Sequence, residues 1–250
     1  MKYFAKIRYL GTDFCGFQVQ PEKRTVQGVL NEATKSLFGC DCKITGCSRT
    51  DSGVHANEFC ITIEPIDKNA PIIPPDKLPK AIAIYMPEDL SLYYSEEASK
   101  DFHPRYDVKS KEYKYLIYNA EVSNPFYVKR AWIFYRKITD DGILRMQTAC
   151  KHFLGTHDFT AFMNTDSDIE DRVRTIYDFS VERNGDEIVF CVSADGFLYN
   201  MVRIMVGTLV SVAFGNFEPS DVARMIESKE RIKAGMTAPA DGLYLNSVVY

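Results

Sequence analysis

The sequence predicts an α+β fold with a mainly antiparallel sheet. Ala5, Ile7 and Tyr9 alternate with basic residues, which indicates a strand with one buried and one exposed face. The pair Asn184-Gly185 separates two strand-like runs and favours a tight hairpin turn. Helices are predicted between the strands without the regular strand-helix alternation that is typical of a parallel sheet.

The individual elements follow from apolar periodicity and turn residues. A helix is predicted from Thr25, an N-cap residue, to Gly39, and Thr139 begins another that ends near Gly155. Residues 65–79 contain five prolines and predict a loop with a short helix near its end. Further helices are predicted over 197–214 and 220–228. The other predicted strands cover 59–63, 90–95, 112–118, 131–135, 173–182, 187–193 and 243–249.

The length and composition are those of an ordinary globular protein. The 250 residues are 46% hydrophobic and 26% charged, which allows two halves, 1–105 and 106–250. No secretory signal is recognised at the N-terminus. The seven cysteines include no CxxC pair and are expected to be thiols in a reducing compartment. A zinc site at Cys40, Cys42 and Cys47 is the weaker alternative, because the spacing is unusual.

Two stretches combine cations with aromatic residues, although the formal net charge is −4. Residues 122–138 contain no acidic residue, and residues 100–114 contain five cations and three acidic residues. Either stretch alone could be a solvated strand face. Together, beside one cleft, they would suit a phosphate backbone with unstacked bases.

A polar loop precedes the predicted strand at 59–63. Residues 46–56 contain Arg49, Asp51 and His55 with three hydroxyls and two glycines. An ionised Asp51 suits a nucleophile or a base. Asp51 and His55 could also be two metal ligands, but two residues make a weak case. No dinucleotide, phosphate-loop or hydrolase-elbow motif is present.

Arg203 is the only charged residue between Gly196 and Phe217. The predicted helix is apolar all round and should be buried, and a membrane span is the weaker reading. A buried guanidinium needs a partner. That partner could be Asp51, or Arg203 could bond to buried carbonyls or extend to solvent.

Several motifs together carry a family resemblance. The loop contains the run Arg49-Thr50-Asp51-Ser52-Gly53-Val54-His55-Ala56. Matching blocks follow in order along nearly the whole chain, at 9–18, 25–27, 102–105, 111–115, 155–159, 200–203 and 242–245. These blocks resemble the TruA family of tRNA pseudouridine synthases. Phe17, Cys47, Ser48, Pro104 and Lys111 depart from the usual family residues without removing a needed chemical group.

The resemblance implies a pseudouridine synthase fold, with two similar α+β halves and mainly antiparallel sheets around a central basic cleft. It implies isomerisation of uridine to pseudouridine in the tRNA anticodon stem-loop (tRNA positions 38–40), without cofactor or metal. The expected enzyme is a cytoplasmic homodimer with tRNA as its partner and no association with membranes.

The resemblance also assigns roles to individual residues. Asp51 is the expected nucleophile, Tyr113 stacks on the flipped base and takes a proton, and Arg203 pairs with the aspartate. Arg49 is expected to replace the extruded base. The remaining residues expected to contact the substrate are His55, Arg105 and Lys111.

Two other functions compete with this reading. An RNA-binding protein on the same fold without chemistry would not need Asp51, Tyr113 and Arg203 together. A glycoside hydrolase centred on Asp51 would need a second carboxylate as its acid, and the motif offers none.

Overall fold

The computed structural model describes residues 1–166 and 169–250. The chain divides into two compact units, one formed by Met1–Lys109 with Tyr244–Tyr250 and the other by Ser110–Leu243. The C-terminal residues therefore group with the first unit, whereas the sequence-based division left them in the second. The similarity of the two halves stays a prediction.

The described residues form ten strands and five α-helices, besides short 3-10 turns. The strands are β1 (Tyr3–Tyr9), β2 (Cys42–Gly46), β3 (His55–Pro65), β4 (Leu90–Glu97), β5 (Ser110–Tyr118), β6 (Trp132–Ile133), β7 (Gly155–Asp158), β8 (Val173–Asn184), β9 (Glu187–Ala194) and β10 (Leu243–Val249). The helices are α1 (Val26–Phe38), α2 (Leu78–Ile82), α3 (Asp140–Cys150), α4 (Met201–Ala213) and α5 (Asp221–Ser228).

The strands of the first unit form a sheet in the order β4-β1-β3-β10, with β2 also paired to β3. Its pairs are antiparallel, except that β10 runs parallel to β3. The alternation predicted for β1 is confirmed, because Ala5, Ile7 and Tyr9 are buried while Arg8 is exposed. The predicted cap of α1 is also confirmed, since the Thr25 hydroxyl accepts a hydrogen bond from the Gly28 N–H at 3.2 Å.

The strands of the second unit form an antiparallel sheet in the order β5-β9-β8-β7. The short β6 pairs with β5 in parallel. Tyr113, Tyr115 and Ile117 share one buried face of β5, as the sequence predicts. The predicted hairpin joins β8 to β9, with Gly185 in the left-handed region at φ 61°. The predicted mainly antiparallel α+β class is thus confirmed.

Some element boundaries differ from the predictions. The strand expected at 131–135 is reduced to β6, and after β6 the Phe134 and Arg136 carbonyls accept hydrogen bonds from the Asn119 amide. The helix expected from residue 197 begins at Met201, after Asn200 turns into the left-handed region at φ 61°. β2 and β7 were not predicted, and β7 is the polar sequence Gly-Thr-His-Asp, which carries no strand pattern.

Helix α4 is buried around nearly its whole circumference, as its composition predicts. It has 13 residues, too few for the hydrocarbon core of a bilayer. No helix within residues 1–166 and 169–250 has the length and apolarity that a membrane crossing requires.

An ion pair joins the end of β7 to the end of α5. Asp158 accepts from Lys229 Nζ at 2.8 Å and from the Thr160 hydroxyl and N–H at 2.6 and 3.0 Å. Partial burial by itself raises the pKa of the Asp158 carboxyl, but Lys229 and Thr160 outweigh this effect and lower the pKa to about 2.

We therefore expect Asp158→Asn to lower the free energy of unfolding by about 1–2 kcal/mol at pH 7. A carboxyl with a depressed pKa in the folded state stabilises the fold above its unfolded pKa. The difference between wild type and Asp158→Asn should therefore shrink as the pH falls below about 4 toward 2. Urea unfolding across this range measures it, with the exposed Asp41→Asn as control. A difference that is constant with pH would refute the ion pair's contribution.

Candidate active site

The Asp51 loop, residues 47–54, connects β2 to β3 in the first unit. Arg49 is exposed at the surface of this loop, Thr50 is buried, and Asp51 is half-buried. A half-buried carboxylate next to a buried anchor can face a ligand while its backbone stays fixed.

The loop is held by the N-terminal turn segment, residues 9–17. The hydroxyls of Tyr9 and Thr50 share a buried hydrogen bond of 2.8 Å. The Phe17 N–H donates to the Thr50 carbonyl at 3.2 Å, and the Gly53 N–H donates to the Phe14 carbonyl at 3.2 Å. These bonds fix the loop on both sides of Asp51.

The two backbones approach so closely that two glycines are required. A Cβ on Gly16 would lie 2.7 Å from the Thr50 carbonyl oxygen, and φ at Gly16 is +81°. A Cβ on Gly11 would lie 1.9 Å from the Val54 carbonyl oxygen. The N-terminal turn segment can therefore reach the loop only with glycine at these positions.

Helix α1 supports the N-terminal turn segment from the other side. The Val26 and Gln27 N–H groups, at the start of the helix, donate to the Gly16 and Phe17 carbonyls at 3.2 and 2.9 Å. The Phe17 ring stacks on Phe59 of β3 with a centroid distance of 4.5 Å. A helix end and a central strand thus fix the segment that fixes Asp51.

His55 is part of this support rather than an exposed contact. Its side chain is fully buried, and Nδ1 accepts a hydrogen bond from the Gly11 N–H at 2.9 Å. The ring stacks on Tyr244 of β10 at 4.5 Å. The ring thus joins β3, β10 and the N-terminal turn segment, and the sequence-based assignment of His55 to substrate binding stays a prediction.

In the second unit, Tyr113 lies on the buried face of β5. Its ring is 6% exposed and meets Phe197 edge-on, with centroids 5.0 Å apart. Packing of this kind restricts the rotation of the Tyr113 ring and leaves its orientation defined.

Arg203, on the first turn of α4, is bound on two sides within the second unit. Nε donates to the Ala238 carbonyl at 2.7 Å, and Nη1 donates to the Asn200 side-chain oxygen at 2.8 Å. The predicted alternative, in which Arg203 donates hydrogen bonds to buried carbonyls, is thus confirmed for its Nε group. Burial raises the pKa of the nearby Tyr115 hydroxyl, and the charge of Arg203 opposes part of this rise.

The other predicted site residues are less enclosed. Arg105 is exposed in the first unit, and Lys111 is half-buried near the start of β5. All seven cysteines are thiols, and no group of three or more His, Cys, Asp or Glu side chains in the described part of the chain is arranged to hold a metal ion.

Sequence reasoning missed the residues that hold the Asp51 loop. The matching block at 9–18 contains Tyr9, Phe14 and Gly16, and the sequence assigns these residues no role. Two glycines five residues apart, directly after a strand, were the available signal of a close backbone approach.

A family model described as tRNA pseudouridine synthase matches residues 5–107 and 149–250. This match includes the Asp51 loop, the N-terminal turn segment and Arg203. It defines the class of the protein, a pseudouridine synthase, which is an isomerase. Residues 108–148, with Tyr113, lie between the two matched stretches.

Three bacterial relatives are each named tRNA pseudouridine synthase A, from Caldicellulosiruptor saccharolyticus, Acetivibrio thermocellus and Brevibacillus brevis. Each is 41% identical over 244 residues, covering 98% of this chain and 97% of the relative. The chain belongs to the tRNA pseudouridine synthase family, so the predicted resemblance is confirmed.

One solved structure, "Crystal Structure of a Cbf5-Nop10-Gar1 Complex", is similar at a TM-score of 0.37 and 12% identity. The similarity covers 98% of this chain and 58% of that chain. A similarity of this extent carries no conclusion about the site.

The close approach at Gly16 gives a testable prediction. Gly16→Ala should lower the free energy of unfolding by about 2–4 kcal/mol, since it adds a backbone clash to the cost of a positive φ. Gly39→Ala is the matched control, because Gly39 also has a positive φ but a Cβ there meets nothing within 4 Å. Its cost should be about 1 kcal/mol. Equal costs, measured by urea unfolding, would contradict the close approach.

Proposed function

We propose that the protein isomerises uridine to pseudouridine in the anticodon arm of tRNA, with Asp51 as the nucleophile. The observation that carries the proposal is the Arg49–Ala56 motif, which lies within the matched residues and on a loop held on both sides of Asp51. A nucleophile fixed in this way approaches its target without a loss of conformational freedom at the moment of reaction.

The reaction is an isomerisation and needs no external reactant. The Asp51 carboxylate attacks either the uracil ring or the anomeric carbon of the ribose. The bond between the base nitrogen and the sugar breaks, the base rotates, and its C5 bonds to the same sugar carbon. N1 of the base takes up a proton, the proton on C5 leaves, and the bond to Asp51 is broken, so the product has the composition of the substrate.

Arg203 is proposed to keep Asp51 ionised. A guanidinium does not lose its proton in the physiological range, and α4 offers it no carboxylate of its own. The bonds to Ala238 and Asn200 fix the direction of the guanidinium. An ionised carboxylate is the form that can act as a nucleophile.

Tyr113 and Arg49 are proposed to hold the substrate in its flipped state. The face of an aromatic ring can stack on the extruded uracil, and the Tyr113 hydroxyl can accept the C5 proton. The exposed Arg49 would fill the gap that the base leaves in the RNA. Flipping costs least where the base is unpaired or near the end of a stem, which suits an anticodon arm.

Arg105 and Lys111 are proposed as phosphate contacts, since they carry charge without an evident role in proton transfer. On the basis of the family resemblance, we also propose that the enzyme is a homodimer and acts in the cytoplasm. Sedimentation analysis tests the first of these statements, and a mass of one chain would overturn it.

The central test uses tRNA that carries tritium at C5 of uridine. Asp51→Asn should reduce tritium release by about 10⁴-fold or more, because the amide is not a nucleophile. Binding of tRNA should change by less than about tenfold, and the exposed Asp41→Asn should remain fully active. Mapping of pseudouridine in the products checks the site of modification. Persistent release by Asp51→Asn, or pseudouridine only outside the anticodon arm, would contradict the proposal.

The role of Tyr113 is separable from that of Asp51. Tyr113→Phe keeps the ring that stacks and removes the hydroxyl that takes the proton, so we expect kcat to fall by about 10²-fold or more while KM changes little. Tyr113→Leu should raise KM as well, because the stacking face is lost. An unchanged kcat in Tyr113→Phe would exclude the hydroxyl as the proton acceptor.

A further inference from the structure

An exposed aromatic turn stands on the surface of the second unit. Asn124–Arg130, here called the Phe126 turn, contains a short 3-10 helix over Pro125–Tyr127. The Phe126 side chain is 81% exposed. A single exposed ring is ordinary on a protein surface, so what it can bind depends on how its neighbours hold it and on their charge.

The exposure of Phe126 is fixed by its neighbours. The Asn124 side chain accepts from the Phe126 N–H at 3.1 Å, and the Arg130 N–H closes the turn on the Tyr127 carbonyl at 3.0 Å. The Tyr127 ring stacks on Tyr118 of β5 at 4.4 Å, and its hydroxyl donates to Glu187. The turn is therefore anchored on the sheet, and Phe126 is presented outward by an ordered backbone.

The stretch that carries the ring is rich in cations. Lys129 and Arg130, three and four residues after Phe126, are exposed, as are Arg136 and Lys137 later in the stretch. Residues 122–138 contain no acidic residue. The acidic side chains of Asp186 and Glu187 accept hydrogen bonds from Tyr118 and Tyr127, and the exposed Glu121 lies just before this stretch.

We propose that the Phe126 turn binds an unpaired nucleotide of the tRNA substrate, at a place separate from the reacting uridine. Phe126 stacks on the base, and Lys129 and Arg130 contact the adjoining phosphates. This chemistry matches single-stranded RNA, in which a base has a free face and the backbone is anionic. The inference rests on the proposed function, and the turn lies within residues 108–148, outside the family match.

The first experiment replaces the ring in the full-length protein and measures Kd and kcat with intact tRNA. Phe126→Ala should raise Kd by about 5- to 100-fold, the range expected for one lost stacking contact, with kcat within about twofold of wild type. Phe126→Trp should keep wild-type affinity, whereas Phe126→Leu should resemble Phe126→Ala. Ile232→Ala is the matched control, because Ile232 is 90% exposed beside Arg231 and Lys233 but has no ring.

The second experiment removes the charges. Each phosphate contact on single-stranded RNA contributes about 0.7 to the slope of log K against log salt. The double variant Lys129→Gln with Arg130→Gln should therefore reduce the slope by about 1.4. An unchanged slope would overturn the assignment of phosphate contacts to these residues.

Three results would overturn the inference as a whole. One is an unchanged Kd in Phe126→Ala. Another is recovery of affinity by Phe126→Leu, which would indicate an apolar contact instead of stacking. The third is a lower sedimentation mass for Phe126→Ala, which would make the turn an interface between copies of the chain. Because Kd is measured without turnover, failure of the proposed reaction in the wild-type protein is distinguishable from each of these results.

Discussion

The structure of the first unit depends on the contact between the N-terminal turn segment and the Asp51 loop. A loop is normally the part of a protein with the weakest support. Here the loop is held on both sides of Asp51 by the Tyr9–Thr50 hydrogen bond and by backbone hydrogen bonds to Phe14 and Phe17. The close approach of the Gly16 backbone to Thr50 adds to this support. The conformation at Asp51 is thus determined by tertiary structure.

Much of the first unit contributes to this contact. The start of α1 holds the N-terminal turn segment through its first N–H groups, which would otherwise lack partners in the helix. From β3, the Phe59 ring stacks on Phe17, and His55 accepts a hydrogen bond from the Gly11 N–H. From β10, the Tyr244 ring stacks on His55. Substitutions at these positions should therefore alter Asp51 without touching substrate. In the second unit, predicted site residues are likewise oriented by a neighbour. Phe197 packs against Tyr113, and the Asn200 side chain accepts a hydrogen bond from Arg203.

Local signals in the sequence predicted most of the elements, because each acts within a few residues. The Thr25 cap, the Asn184-Gly185 turn and the alternation in β1 are of this kind. β6 was predicted too long, and no local pattern shows that Asn119, more than ten residues away, binds the Phe134 and Arg136 carbonyls that follow it. The burial of His55 escapes a sequence-based reading for a related reason, since its hydrogen-bond partner Gly11 is distant in the sequence. Asp51 could be named from its motif, but the residues that hold it depend on contacts that no local pattern records.

The support of Asp51 by the N-terminal turn segment is tested most directly by a double-mutant cycle. Tyr9→Phe, Thr50→Val and the combined variant are compared in kcat and KM for pseudouridine formation. Each single change breaks the same hydrogen bond, so the combined variant should lose little more kcat than either one, with KM nearly constant. Losses in kcat that add, or losses confined to KM, would contradict the account, because the bond would then not set the position of Asp51 for the chemical step.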